Sequence, residues 1–249
     1  MKWEVVADYD ALSQRAASIL LESIRTNPRL VLGLPTGRTP IGMYERVVAE
    51  CSREYHCFRD VVTFNLDEYV GIASDHPGSY CTFMRQHLFD HVDLKAKNTH
   101  IPDGDAPDPE GYERQIRAAG GLDLTFLGLG SNGHIAFNEP GTPFDARTRV
   151  VALTESTRNA NAALFADGNV PTHAITMGIG TILESRAIVL LASGANKREA
   201  LERLRDGEVT MDFPASVLHT HPNVRVVMDR KVEDRTVEDR LQSVDKKTD

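Results

Sequence analysis

Short apolar runs recur along the 249-residue chain at 30–34, 61–66, 124–129, 174–177, 187–192 and 224–228, and the segments between them carry apolar residues at helical spacing. A brief apolar run bounded by turn residues reads as a strand buried on both faces. Such a strand needs helices above and below it. The alternation therefore predicts an α/β fold: a doubly wound, mostly parallel, Rossmann-like sheet with helices on both faces. A short strand at 3–7 precedes the series. Helices are expected at 8–25 with Asp8 or Asp10 as N-cap, and at 41–54, 79–92, 109–119, 198–206 and 215–219. Residues 98–109, rich in Pro, Asp and Gly, read as surface loop. Residues 142–172 show no clear period and read as a partly helical, mobile flap. The tail from 230 is highly charged and reads as solvated. No internal repeat or linker divides the chain, so 1–249 reads as a single domain.

Composition narrows the function. A net charge of −8 argues against a general binder of nucleic acid or of anionic membranes, so an anion needs a locally positive pocket. No apolar run approaches the roughly 18 residues of a membrane span. Glu4, Asp8 and Asp10 break up any signal-like stretch at the N-terminus. The expectation is a cytoplasmic protein with neither nucleic-acid nor membrane partners. Cys51, Cys57 and Cys81 are odd in number and lack metal-ligand spacing, which suggests free, buried thiols in a reducing compartment.

Four segments carry chemistry, each at the carboxyl end of an expected strand, where open α/β sheets place their ligands. The most unusual is Gly130-Ser131-Asn132-Gly133-His134-Ile135-Ala136-Phe137-Asn138-Glu139-Pro140-Gly141. Its glycines permit close backbone approach, and Asn132, His134 and Glu139 can pass or orient protons. The second is Leu34-Pro35-Thr36-Gly37-Arg38-Thr39-Pro40, a turn opening a helix. Backbone N–H groups there suit an anion, with Thr36 and Thr39 as extra donors, Gly37 allowing close approach and Arg38 adding charge; the same residues also suit a plain tight turn. It lacks the Gly-Lys-Ser/Thr ending of a nucleotide P-loop and is no dinucleotide fingerprint. The third is Asn65-Leu66-Asp67-Glu68-Tyr69, where one carboxylate is a candidate base and the other an exposed or helix-start residue; Asp67 as an ordinary N-cap is the alternative. The fourth is Lys197, either a surface lysine or a point charge for phosphate. An anion cradle facing carboxylates and an imidazole, with no metal cage, elbow nucleophile or cofactor motif, suits proton transfer on a small phosphorylated substrate.

These segments resemble the signatures of the glucosamine-6-phosphate deaminase family, over about residues 30–228. The wider superfamily's 6-phosphogluconolactonases share the Gly-His region but lack the Phe-Asn-Glu ending that holds Glu139. The resemblance implies a cofactor-free aldose–ketose isomerisation coupled to loss of ammonia, on a phosphosugar substrate, by a monomer or homo-oligomer. It gives His134 the ring opening, oriented by Glu139 and Asn132, and gives Asp67 the C2 proton. Deamination of a related phosphosugar such as galactosamine 6-phosphate, lactone hydrolysis and, less favoured, sugar-phosphate sensing are the alternatives. The chain departs from the family pattern at three places: Asn132 where some members have Asp, Arg38 where Gly or Ser is usual, and Ala163 where the flap commonly has Arg. Arg38 is expected to replace that lost charge. Val151 stands where effector-activated members carry a basic residue, so no activation by N-acetylglucosamine 6-phosphate is expected.

Overall fold

The computed structural model describes residues 1–53, 57–162, 165 and 168–232. The elements run β1 (Lys2–Val6), α1 (Tyr9–Thr26), β2 (Val31–Leu34), α2 (Arg38–Cys51), β3 (Val62–Asn65), β4 (Asp67–Tyr69), α3 (Tyr80–His87), β5 (Thr99–His100) and α4 (Pro109–Ala118). They continue with β6 (Leu124–Gly128), β7 (Arg149–Ala152), α5 (Glu155–Asn161), β8 (His173–Thr176), α6 (Ile179–Leu183), β9 (Ala187–Ala192), α7 (Arg198–Asp206) and β10 (Val224–Asp229).

The central sheet has seven strands in the order β1-β10-β9-β6-β2-β3-β5, and its pairings are all parallel. Successive side chains leave a strand on opposite faces. Leu32, Phe126, Val189, Leu191 and Val227 accordingly join α1 and α2 in one core. Val31, Leu127, Ile188, Leu190, Val226 and Met228 join α4 and α7 in another. The expected doubly wound, mostly parallel sheet is what the chain forms.

Local chemistry sets the helix starts. Asp8 caps α1, its carboxylate accepting from Ala11 N at 2.8 Å, a contact worth about 1 kcal/mol. Leu12, Ala16, Leu20 and Ile24 then fall on one buried stripe. Ser79 caps α3, and Asp108 caps α4 just ahead of Pro109.

The structure differs from expectation at several points: β5 of the central sheet lies inside the stretch 98–109 read as surface loop, the helix expected at 215–219 is a 3₁₀ helix over Pro214–Thr220, and four further differences follow. Residues 174–177 do not extend the central sheet. β8 instead pairs antiparallel with β4 and β7 in a separate three-stranded sheet. β7 lies inside the stretch read as a flap; its apolar run, 150–153, is short, and as an edge strand it alternates half-buried and exposed residues. Helix α3 stops at His87 because Leu88 leaves helical backbone angles, and a 3₁₀ turn at Phe89–His91 follows. Cys51 and Cys57, six positions apart, are joined in a disulfide with their Cα atoms 5.6 Å apart, leaving Cys81 as the free thiol; spacing in the sequence does not encode that nearness. The flap position Ala163 and the tail beyond 232 lie outside the described residues. Among the described residues no helix is long and apolar enough to cross a membrane.

Candidate active site

In the order β9-β6-β2-β3, four parallel strands stand side by side and point the same way. Their carboxyl ends deliver Lys197, the 130–139 loop, the 35–40 turn and Asp67 to one edge of the sheet. Strand order reverses between β6 and β2, the switch point at which such sheets open a crevice.

The 130–139 loop is built around its imidazole. Gly130 N donates to His134 O at 2.9 Å, closing the loop on itself. A Cβ at Gly130 would stand 2.5 Å from three ring carbons of His134, so the ring lies flat on the glycine. Gly133, at φ +86°, has no room for a side chain either, because Phe213 occupies that space. Ala136 takes a positive φ of 51°, uncommon for a residue with a Cβ and found where a site needs it. The turn it makes is held by Asn138, whose amide donates to Ile135 O and Met177 O at 3.0 and 2.8 Å. That turn returns Glu139 to His134.

The structure brings Asn132, His134 and Glu139 together. Glu139 Oε2 lies 3.6 Å from His134 Nδ1 and accepts from Asn132 Nδ2 at 2.7 Å. Asn132 Oδ1 also accepts from His134 N at 3.2 Å. Glu139 Oε1 accepts from Thr157 Oγ1 at 2.6 Å. Burial would raise the Glu139 carboxyl, but the His134 ring, the Thr157 hydroxyl and the Asn132 amide outweigh it and hold the group at about 2. The result is a fixed anion beside an imidazole that remains partly open to solvent.

Asp67 is not a helix cap. It begins β4, in register with Thr176 of β8, and is buried. Among the described residues nothing donates a hydrogen bond to its carboxylate. Burial, and then the neighbouring Glu68, push it up to about 8. Glu68 is neither exposed nor at a helix start. Its carboxylate reaches across to accept Tyr69 N, Tyr80 N and Cys81 N at 2.8–2.9 Å, tying β4 to the first turn of α3. Asp67 alone of the pair is therefore free to act as a base.

Gly37 is the N-cap of α2, and Arg38 and Thr39 are its first residues. Gly37 and Arg38 are exposed, while Thr36 and Thr39 are half-buried. Lys197 closes a 3₁₀ turn that runs into α7, and burial holds its ammonium below the usual lysine range. Among the described residues neither Arg38 nor Lys197 has an ion-pair partner. A separate cleft of about 560 Å³ lies behind Glu68, lined by Arg85, Asp90 and Asp103 among others, and none of the expected site residues borders it.

Two contributors lay outside the sequence reading. Thr157 stands in a stretch crowded with Thr and Asn that offers no reason to choose it. Glu68 was set aside because adjacent carboxylates alternate in direction; only the fold shows both of them buried.

Residues 7–228 match the family model described as glucosamine-6-phosphate isomerases/6-phosphogluconolactonase. A glucosamine-6-phosphate deaminase of Lysinibacillus sphaericus is 52% identical over 91% of this chain and 98% of its own. Glucosamine-6-phosphate deaminase 2 of Bacillus subtilis is 47% identical over 93% and 96%. A solved structure described as a monomeric glucosamine-6-phosphate deaminase superposes with a TM-score of 0.91 at 45% identity, covering 94% of this chain and 99% of that one. The 6-phosphogluconolactonase of Trypanosoma cruzi superposes at 0.76 with 21% identity, a likeness of fold.

Proposed function

The chain belongs to the glucosamine-6-phosphate isomerase/6-phosphogluconolactonase family, and we infer from that membership and from its site that it acts as a glucosamine-6-phosphate deaminase. It converts glucosamine 6-phosphate and water to fructose 6-phosphate and ammonia. The observation that carries the reading is the pairing, at one sheet edge, of an unsolvated carboxylate at Asp67 with the fixed His134–Glu139 pair. Lactone hydrolysis by water attack would not need Asp67 and Glu139 together.

In the proposed sequence the phosphate rests on the first turn of α2, held by Thr36, the backbone at Gly37, Arg38 and Thr39, with Lys197 opposite. His134 takes the proton of the C1 hydroxyl and returns one to the ring oxygen, opening the pyranose. Glu139, oriented by Asn132, holds the ring and balances its charge when it carries the proton. Opening makes C1 a carbonyl, which acidifies C2. Asp67 removes the C2 proton, the electron pair moves through the C1–C2 bond to the carbonyl oxygen, and an enolamine results. Reprotonation at C1 gives a ketimine at C2; water adds to it and ammonia leaves. Positioned acid–base groups of this sort contribute about 10²–10⁴-fold each. We further propose that residues 142–172 serve as the flap over this site. The assigned residues come from one chain, so a monomer suffices. A phosphosugar substrate implies a cytoplasmic protein.

The test is ammonium release by the purified protein from glucosamine 6-phosphate, with galactosamine 6-phosphate and 6-phosphogluconolactone alongside. Release from the gluco epimer is expected. Release from the galacto epimer alone would move the specificity and keep the mechanism; hydrolysis of the lactone without ammonium would overturn the reading. In the same assay Arg38→Ala is expected to raise KM about tenfold with kcat nearly unchanged, as loss of a charged contact made equally in ground and transition states requires. An unchanged KM would remove Arg38 from phosphate binding.

A further inference from the structure

We propose that Thr157 is a positioning residue for the deamination: its hydroxyl, carried by α5, fixes the Glu139 carboxylate in the orientation that faces His134. The inference rests on the reading of His134 and Glu139 as the ring-opening pair.

A carboxylate turns easily about its last torsion, which is broad and roughly two-fold. Glu139 is held against that rotation at both oxygens, by Thr157 at Oε1 (2.6 Å) and Asn132 at Oε2 (2.7 Å). With both bonds in place, Oε2 stays on the side of His134 Nδ1. Without the Thr157 bond the group pivots on Asn132 alone.

The hydroxyl is itself committed to this direction. Thr154 Oγ1 donates to Thr157 Oγ1 at 3.0 Å, which leaves the Thr157 proton for Glu139. Thr154 also caps α5 by accepting Thr157 N at 3.2 Å. One cap residue thus starts the helix and orients the hydroxyl chain, and bonds in such a chain polarise one another. Thr157 is buried, so water does not substitute readily for the hydroxyl. The groups facing Glu139 are the His134 imidazole and Asn132 amide from its own loop and the Thr157 hydroxyl from α5.

The experiment compares Thr157→Val, which keeps shape and loses the hydroxyl, with Thr157→Ser, which keeps the hydroxyl. The valine variant is expected to lose about tenfold in kcat, the usual size for one bond to an ionised group, with KM changed less than about twofold. The serine variant is expected to recover most of the rate. In the ligand-free protein, a carbon-detected NMR titration of the Glu139 carboxyl is expected to move up from about 2 in the valine variant and stay in place with serine. Wild-type kcat and titration in the valine variant, or a serine variant as poor as valine, would overturn the proposal. Thr157→Ala carries the same expectations if the valine variant fails to fold. The titration needs no substrate, so it tests the positioning even if the wild-type protein released no ammonium, an outcome that would count against the functional reading instead.

Discussion

Asp67→Asn is expected to abolish turnover while making the protein more stable at alkaline pH. The amide cannot take the C2 proton, so kcat should fall toward the upper end of the roughly 10²–10⁴-fold range for a lost general base. The stability effect follows from linkage. Folded Asp67 titrates at about 8, against 3.8 for an unburied aspartate. Between those values the folded chain keeps a proton that the unfolded chain has released. The unfolded state then binds fewer protons, so the contribution to stability falls as pH rises from about 4 to about 8 and stays at its low point above that. Asparagine carries no such burden. The variant should match the wild type near pH 4 and exceed it at pH 9 by on the order of a few kcal/mol. Thermal melts of both proteins at the two pH values check this; equal melting temperatures at pH 9 would show that the Asp67 carboxyl is not held up. The same titration sets the pH profile, with kcat/KM of the wild type rising with pH through a midpoint near 8 instead of near 4.

Gly130→Ala is expected to cost about 10²–10³-fold in kcat/KM with little loss of stability. Gly130 is not among the positive-φ glycines, so alanine suits the backbone there. The whole penalty is the clash of a new Cβ with the His134 ring 2.5 Å away. That ring is 30% exposed and can swing outward, which relieves the clash and destroys the alignment with Glu139. A displacement of about an ångström in a reacting group costs on the order of 10²-fold. A double-mutant cycle isolates the cause: in a His134→Ala background the Gly130→Ala change should cost almost nothing further. A full additional loss there would mean that the glycine serves the loop and not the imidazole.

The central sheet was legible because burial on both faces leaves an unmistakable apolar run, and α1, α4 and α7 because one stripe of each is buried. The 130–139 loop was legible because a glycine run interleaved with His and Glu has little structural use. The three-stranded sheet was not. β8 carries the same apolar signal as a central strand, and nothing local says with which sheet it pairs; β4, Asp67-Glu68-Tyr69, follows a central strand directly and carries no apolar run of its own. β7 is an edge strand whose short apolar run, 150–153, sits in a stretch crowded with Thr and Asn and is only half-buried. Thr157 was hidden for a related reason: its partner lies eighteen positions away in a different loop, and a hydroxyl at a helix start is ordinary until the fold supplies the carboxylate. The nearness of the disulfide partners Cys51 and Cys57 was likewise not written in their spacing.

The small antiparallel sheet bears on when the site comes into being. Asp67 of β4 lies against Thr176 of β8, and Thr176 against Arg149 of β7. During synthesis β4 emerges early, yet the strand that pairs with it is among the later ones to be made. Until β8 has arrived, Asp67 stands in water as an ordinary acidic side chain with an ordinary affinity for protons. The raised proton affinity of Asp67 thus waits on the closing of a long loop, and a nascent chain that already holds the 35–40 turn and the 130–139 loop does not yet have it.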